Sequence, residues 1–320
     1  KGISVNSTFA TRRTMRATLS ACAAAMALAL PAAAQDVARM DQVIRASSDA
    51  DEFAGSVLVA RGDQVLLDQG YGLANREWNI PNAGDTRFRL ASVSKQFTAV
   101  AVMVLVERGQ VDLDAPIKTY LPDAPAAWDG VTTRHLLSHT SGIANFTDFD
   151  DFQAQKTLPA TLDSLIARFR DRPLEFQPGE RWAYSNSGYV LLTAIIERAG
   201  GQPYADFVTQ NLFQPLGMTD SGYDVSSEIL PRRASGYYPV QGGVANAPYV
   251  DMTIPRGAGG LYSTTRDLLK WERGLFGGRL LNARSLSLLT TPVRDGYAFG
   301  LAVENEDGHT IVSHAGGIEG

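Results

Sequence analysis

From Gln96 to Arg108 the chain is nearly all apolar (Phe97, Val100, Ala101, Val102, Met103, Leu105, Val106), and the run stops at Gly109. A helix that is apolar on most sides has to be buried on most sides. The rest of the chain must therefore supply elements that wrap around it. With 320 residues there is enough chain for one large domain, or for two smaller ones sharing a core. Tyr189 to Ala199, closed by Gly200-Gly201, reads as a second buried helix. Thr264 to Leu275 reads as a third, with Thr264 or Thr265 as its N-cap.

The two ends read differently. Ser56–Ala60 and Gln64–Asp68 flank Arg61-Gly62-Asp63, the pattern of an antiparallel hairpin. Tyr297–Val303 and Thr310–Ser313 flank a polar turn, Glu304 to His309, and suggest another hairpin. Strands at both ends with helices between them predict an α/β fold of the α+β kind. We expect one antiparallel sheet, from about 50–90 and 255–320, flanked by helices and closed by both ends of the chain. A mainly helical lobe, about 110–250, would be inserted into it.

Residues 1–34 carry Lys1, Arg12, Arg13 and Arg16 and no acidic residue. An apolar stretch, Ala17–Leu30, then leads to Pro31-Ala32-Ala33-Ala34. This is the pattern of a secretory signal peptide, so the domain proper is expected at 35–320 and its location is periplasmic or secreted. Met15 is a candidate for the true start. Cys22 is the sole cysteine, and most of the apolar stretch follows it, which disfavours a lipoprotein anchor. Membrane association is expected only if this segment is retained. Removing it leaves no disulfide and no thiolate nucleophile. A hydrophobic fraction of 44% and a charged fraction of 20% exclude a disordered chain and a multi-span membrane protein. The net charge of −5 argues against nucleic acid as a partner.

Three places carry chemistry. Ser92-Val93-Ser94-Lys95 opens the buried helix, and residues three apart share a helix face. There a lysine whose pKa is lowered by burial can accept the serine proton. Ser-x-x-Lys is a short pattern that chance supplies easily; its position gives it meaning, because a lysine opening an apolar helix is poorly placed for solvent. Tyr184-Ser185-Asn186 offers a phenol to relay a proton and an amide to bind a carbonyl. His314-Ala315-Gly316-Gly317 ends the late strand, where Gly316 and Gly317 let a substrate backbone approach the strand edge. His135 and His139 stand four apart, as zinc ligands can, but without the glutamate of His-Glu-x-x-His. No Gly-x-Ser-x-Gly elbow, Walker loop or dinucleotide fingerprint occurs, so no metal or cofactor is expected.

In this order, Ser-x-x-Lys, Tyr-x-Asn and His-x-Gly resemble the three motifs of serine β-lactamases and penicillin-binding proteins. The Tyr-Ser-Asn form is similar to the class C β-lactamase and D,D-peptidase branch. His135–Gly142, Phe176–Gly179 and Ala258–Ser263 match that branch as well. The resemblance runs from about residue 40 to the end. It implies Ser92 as acylated nucleophile, with Lys95 and Tyr184 as its proton-transfer pair. It further implies Asn186 on the acyl-side amide and an oxyanion hole from the N–H groups of Ser92 and Gly317. His314 would lie near Tyr184 and any substrate carboxylate.

Histidine stands where class C β-lactamases have lysine. A neutral imidazole binds a carboxylate less well than an ammonium does, which points away from β-lactams and toward peptidase or esterase action on a small-molecule or peptide acyl donor. The alternatives are a β-lactamase, or a non-catalytic penicillin-binding or cell-wall-sensing relative that would acylate once and release nothing. Family members continue past the third motif with a further strand and helix, so the sequence reads as truncated at Gly320.

Overall fold

The computed structural model describes residues 32–319. The expected signal segment therefore lies outside the described residues, Cys22 included, apart from Ala32–Ala34. The chain divides into two compact units, 1–53 and 54–320. What is described of the first is mainly one helix, α1 (Ala32–Asp49), on which Arg45 and Asp41 pair at 2.7 Å, one turn apart. No described helix is long and apolar enough to cross a membrane.

The second unit opens with the expected hairpin, β1 (Gly55–Arg61) and β2 (Gln64–Tyr71). Its register passes from Val59↔Leu67 to Ala60↔Val65, so Leu66 is an extra residue that bulges the pair. Strand β3 (Phe88–Arg89) is short but important for position. Beyond it the chain turns through Leu90-Ala91-Ser92 into α2 (Ser94–Glu107). Helix α2 starts two residues earlier than its apolar run suggests, and Ser92 sits just before it in a single 3₁₀ turn, Ala91–Val93.

Helix α2 forms the core together with α3 (Asn186–Gly200). Phe97, Val100, Met103 and Leu105 from the one, and Tyr189, Leu192 and Ile195 from the other, are fully buried. Each such aliphatic or aromatic side chain contributes about 1.5–3 kcal/mol relative to exposure. Phe97 also meets Trp271 at 4.0 Å between ring centroids.

The lobe expected over 110–250 is not helical throughout. It contains β4 (Gly222–Tyr223) and a hairpin, β5 (Tyr237–Val240) with β6 (Gly243–Asn246). A short helix, α4 (Arg256–Gly259), follows and lies against both α2 and α3. Gly257 is required there, because a Cβ would come within 2.6 Å of Thr193 Oγ1 and 2.9 Å of Thr98 Oγ1. Next comes β7 (Leu261–Ser263), which pairs with both β3 and β4 in a three-stranded sheet of order β3-β7-β4. Leu90 N–H donates to Leu261 O at 2.8 Å, so the ladder holds the chain almost to Ser92. Helix α5 (Thr265–Phe276) takes Thr264 as its N-cap, whose hydroxyl accepts from Asp267 N–H.

The last hairpin is β8 (Ala302–Glu306) with β9 (His309–Ser313), closed by Asp307-Gly308. Both turn residues have positive φ, +48° and +80°, as a two-residue turn of the primed kind requires. The expected strand from Tyr297 starts five residues late. Gly300 interrupts it at φ +69°, packed so tightly on the first turn of α2 that a Cβ would lie 2.7 Å from Lys95 O. The antiparallel sheet expected as one body is present as separate hairpins: among the described residues no ladder joins β1–β2 to β8–β9.

Candidate active site

The site is assembled where the exit of β3, the first turns of α2 and α3, α4 and the segment after β9 converge. Ala91, just before Ser92, holds φ +47°, a conformation that costs a non-glycine residue about 1–3 kcal/mol. That strained turn leaves Ser92 partly exposed while Ser94 and Lys95 behind it are fully buried. Two groups converge on Ser92 Oγ. Tyr184 O–H donates to it at 2.7 Å, and Lys95 Nζ stands 3.0 Å away.

Lys95 has no exposed surface, and burial pushes its pKa well below the usual lysine value. Its Nζ donates to Asn186 Oδ1 at 2.8 Å and to Ala258 O at 2.7 Å. A neutral amine has two N–H donors and one lone pair. In the neutral form, with both donors used on these two oxygens, the lone pair would be left for Ser92 O–H; an ammonium would instead donate to all three oxygens. Burial raises the Tyr184 phenol to about 12, against the opposing pull of its hydrogen bond to Ser92. It therefore keeps its proton at neutral pH.

Asn186 opens α3. Ser185 caps that helix, its hydroxyl accepting from Gly188 N–H. The Lys95 donor fixes the Asn186 amide with Oδ1 inward, and Nδ2 then donates to Thr147 Oγ1 at 3.1 Å. The second Nδ2 hydrogen is available to a carbonyl.

The segment after β9 closes the other side. A Cβ on Gly316 would fall 2.3 Å from Leu90 O and 3.0 Å from Ser92 N, so only glycine allows this approach. Gly317, by contrast, has open space around its Cα. His314 is half-buried. Its Nδ1 lies 2.6 Å from Ala315 O and must donate there, which makes Nε2 the acceptor from Tyr297 O–H at 3.0 Å. Burial lowers its pKa, against the opposing pull of its bond to Ala315 O. The sequence reading puts His314 beside Tyr184; the structure gives it Tyr297 as its bonded partner and both tyrosines as neighbours in one cleft.

Ser92 lies between two hollows. One, of about 250 Å³, is lined by Phe146, Phe152, Val250, Ile254 and Asn186. The other, of about 540 Å³, is lined by Trp182, Tyr184, Tyr297 and His314. Ser92 and Gly317 border both. Glu319 edges the first and forms an ion pair with the nearly buried Lys156.

The structure thus brings Ser92, Lys95, Tyr184, Asn186, His314, Gly316 and Gly317 to one place. Sequence reasoning misses the Ala258 carbonyl, Tyr297 and His139. A carbonyl has no sequence signal, and Tyr297 reads there as an ordinary strand residue. His139 is fully buried among Tyr184, Tyr189 and Tyr297, with ring centroids 4.4, 5.1 and 4.8 Å away. His135, four residues earlier, is used otherwise: its Nδ1 accepts from Thr132 N–H in a capping box. No group of three or more side chains suited to hold a metal occurs among the described residues.

The family model described as Beta-lactamase matches residues 40–320. Penicillin-binding protein 4* of Bacillus subtilis is 34% identical over 84% of this chain and 64% of its own length. Esterase EstB of Burkholderia gladioli is 40% identical over 61% of this chain and 53% of its own. The chain thus spans between half and two thirds of the length of these relatives. The crystal structure of D-amino acid amidase from Ochrobactrum anthropi superposes with a TM-score of 0.75 at 28% identity, covering 89% of this chain and 85% of the amidase.

Proposed function

Since the chain belongs to the beta-lactamase family of hydrolases, we propose that it is a serine hydrolase working through an acyl-enzyme on Ser92, and that its substrates are D-amino-acid peptides or amides, or small esters. The observation carrying this is the double contact on one hydroxyl: Tyr184 at 2.7 Å and Lys95 at 3.0 Å from Ser92 Oγ. A serine with a basic nitrogen and an acidic hydroxyl at once has a place for its proton and a source of one.

Lys95, neutral through burial, takes the Ser92 proton as Oγ bonds to the substrate carbonyl carbon. The N–H groups of Ser92 and Gly317 receive the oxyanion. On collapse the carbon–nitrogen or carbon–oxygen bond breaks, and the leaving group takes the Tyr184 proton. The Lys95 ammonium then restores the phenol. Water repeats the sequence in reverse, giving the acid and free Ser92. The assignment of Lys95 rather than Tyr184 as the base rests on their opposite shifts: the amine is held neutral and the phenol protonated.

The hollow beside Asn186 is small and largely apolar, which suits a compact acyl group. The wall beyond Tyr184 offers a neutral imidazole, His314, where a carboxylate-bearing leaving group needs a cation. Both features support amide and ester donors over β-lactams. With the sequence pattern of residues 1–34, export to the periplasm or medium belongs to the same proposal.

The test is intact-mass analysis after mixing with a p-nitrophenyl acyl ester, a D-alanyl p-nitroanilide and a fluorescent penicillin. The reading expects a covalent adduct mapped to Ser92 and turnover of the ester or anilide. Turnover of the penicillin instead would make the chain a β-lactamase. An adduct without release would make it a sensor, and hydrolysis with no Ser92 adduct would sink the mechanism.

A further inference from the structure

We propose that His139 is a positioning residue for Tyr184, holding both peptide N–H groups that flank it. Ala183 N–H donates to His139 O at 2.9 Å, and Ser185 N–H donates to His139 Nδ1 at 3.1 Å. One residue thus clamps the backbone on each side of Tyr184, and its ring also lies tilted against the phenol ring at 4.4 Å. The inference rests on the reading of Tyr184 as the proton donor; the clamp itself is a matter of geometry.

Three features indicate a clamp rather than filler. First, the backbone of His139 holds φ +58°, which turns its carbonyl and its side chain toward the same segment. Second, Nδ1 can accept from Ser185 only in the neutral imidazole with its proton on Nε2. Burial keeps it neutral. The titratable groups packed around it are Lys95, His314, Tyr184, Tyr189 and Tyr297. Third, the Nε2–H so created is buried and has no hydrogen-bond partner among the described residues. A histidine serving only packing has no reason to keep a buried donor unpaired; here it is the cost of presenting Nδ1 as an acceptor. The same choice excludes a metal-ligand role for His139, since the lone pair of Nδ1 is occupied.

The clamp needs an acceptor and tolerance of a left-handed backbone. Asparagine supplies both: its Oδ1 reaches a position like that of Nδ1, and it adopts positive φ more readily than other residues. Alanine supplies neither. We therefore compare His139→Ala with His139→Asn, reading rates per Ser92 titrated by a fluorophosphonate so that misfolded enzyme does not count. The expected result is about a 100-fold loss of kcat in the alanine variant with KM changed by less than about 3-fold, the scale of an ångström-sized misplacement. The asparagine variant should recover to within about 10-fold of the parent.

Crystal structures of both variants give a reading independent of activity. Tyr184 Oη should leave Ser92 Oγ in the alanine variant and stay at hydrogen-bond distance in the asparagine one. ¹⁵N-histidine spectra of the parent should show the neutral Nε2–H form at neutral pH and below the ordinary histidine value. Equal impairment of both variants, an undisplaced Tyr184 in the alanine structure, or a cationic His139 would overturn the clamp. If the parent proves inactive, the functional reading fails while the structures and spectra still decide the clamp.

Discussion

The two walls around Ser92 are built on opposite plans. On the helical side Lys95 is wholly buried and spends its donors on Asn186 Oδ1 and Ala258 O, each acceptor on a separate element of the core. On the strand side Gly317 has open space where a Cβ would stand, and His314 lines the cleft it shares with Tyr184 and Tyr297. The first wall cannot change a group without leaving a buried polar atom unpaired, which costs about 1–3 kcal/mol or more. The second can change side chains at little cost to folding. The contrast teaches where each kind of property resides. On the proposed mechanism, bond making depends on the rigid wall, and the choice of leaving group is set at the open one.

Substitutions in the rigid wall should therefore have the largest effects. Ser92→Ala removes the proposed nucleophile and should lower kcat by at least about 10⁴-fold for every substrate, with the fold intact by circular dichroism. Retained hydrolysis would end the assignment. Lys95→Ala should cost about 10³-fold in acylation, followed by stopped-flow burst kinetics. Tyr184→Phe keeps the ring against His139 and loses only the proton, so about 10²-fold is expected. That loss should be greatest with poor leaving groups, which need protonation most. An equal loss with a p-nitrophenyl ester and an anilide would count against the donor role.

The open wall should respond in kind rather than in degree. His314→Lys places a cation in the cleft of about 540 Å³ beside Tyr184. Inhibition constants for carboxylate-bearing lactams should fall by roughly 10-fold, while ester hydrolysis changes less. If both shift together, the two walls are not separable and the comparison breaks. Gly316 is the one strand-side position that belongs to the rigid wall. Gly316→Ala drives a Cβ into Leu90 O at 2.3 Å, so its activity should collapse like a core variant, whereas Gly317→Ala should be tolerated structurally.

The sequence discloses these walls unequally, for physical reasons. The buried helix pair shows in composition because burial demands apolar residues, so Phe97 to Val106 and Tyr189 to Ile196 are legible at once. Ser92 and Lys95 draw notice by their spacing at the head of a buried helix, whereas Tyr184 and Asn186 become legible only through the resemblance to the three-motif family. What the sequence hides are contacts made by backbone. The Ala258 carbonyl on Lys95 and the His139 carbonyl on Ala183 carry no signature in residue type. The late start of β8 also follows from such a contact, the approach of Gly300 to Lys95 O. A hairpin pattern near residue 300 foresees the strands but not the tertiary neighbour that interrupts them.

The smallest expected effect is on stability, and it tests whether Lys95 is held neutral. Its pKa in the folded protein lies well below the ordinary lysine value of 10.5 that the unfolded chain regains. Between those two values the unfolded state binds one more proton than the folded one, so unfolding becomes harder as pH rises toward about 10.5. Above that value, and below the folded pKa, this group gives no slope. Lys95→Met keeps the volume and removes the proton. Its denaturation midpoint should therefore show a weaker rise with pH through the neutral-to-alkaline range than the parent does. Near neutral pH it should lose less stability than a buried polar-to-apolar change otherwise predicts, because the parent already bears the cost of a neutralised amine. Parallel pH profiles for the two proteins would mean that Lys95 is charged in the folded state. The base at Ser92 would then have to be sought in Tyr184, and the rigid wall would be an electrostatic one instead of a proton acceptor.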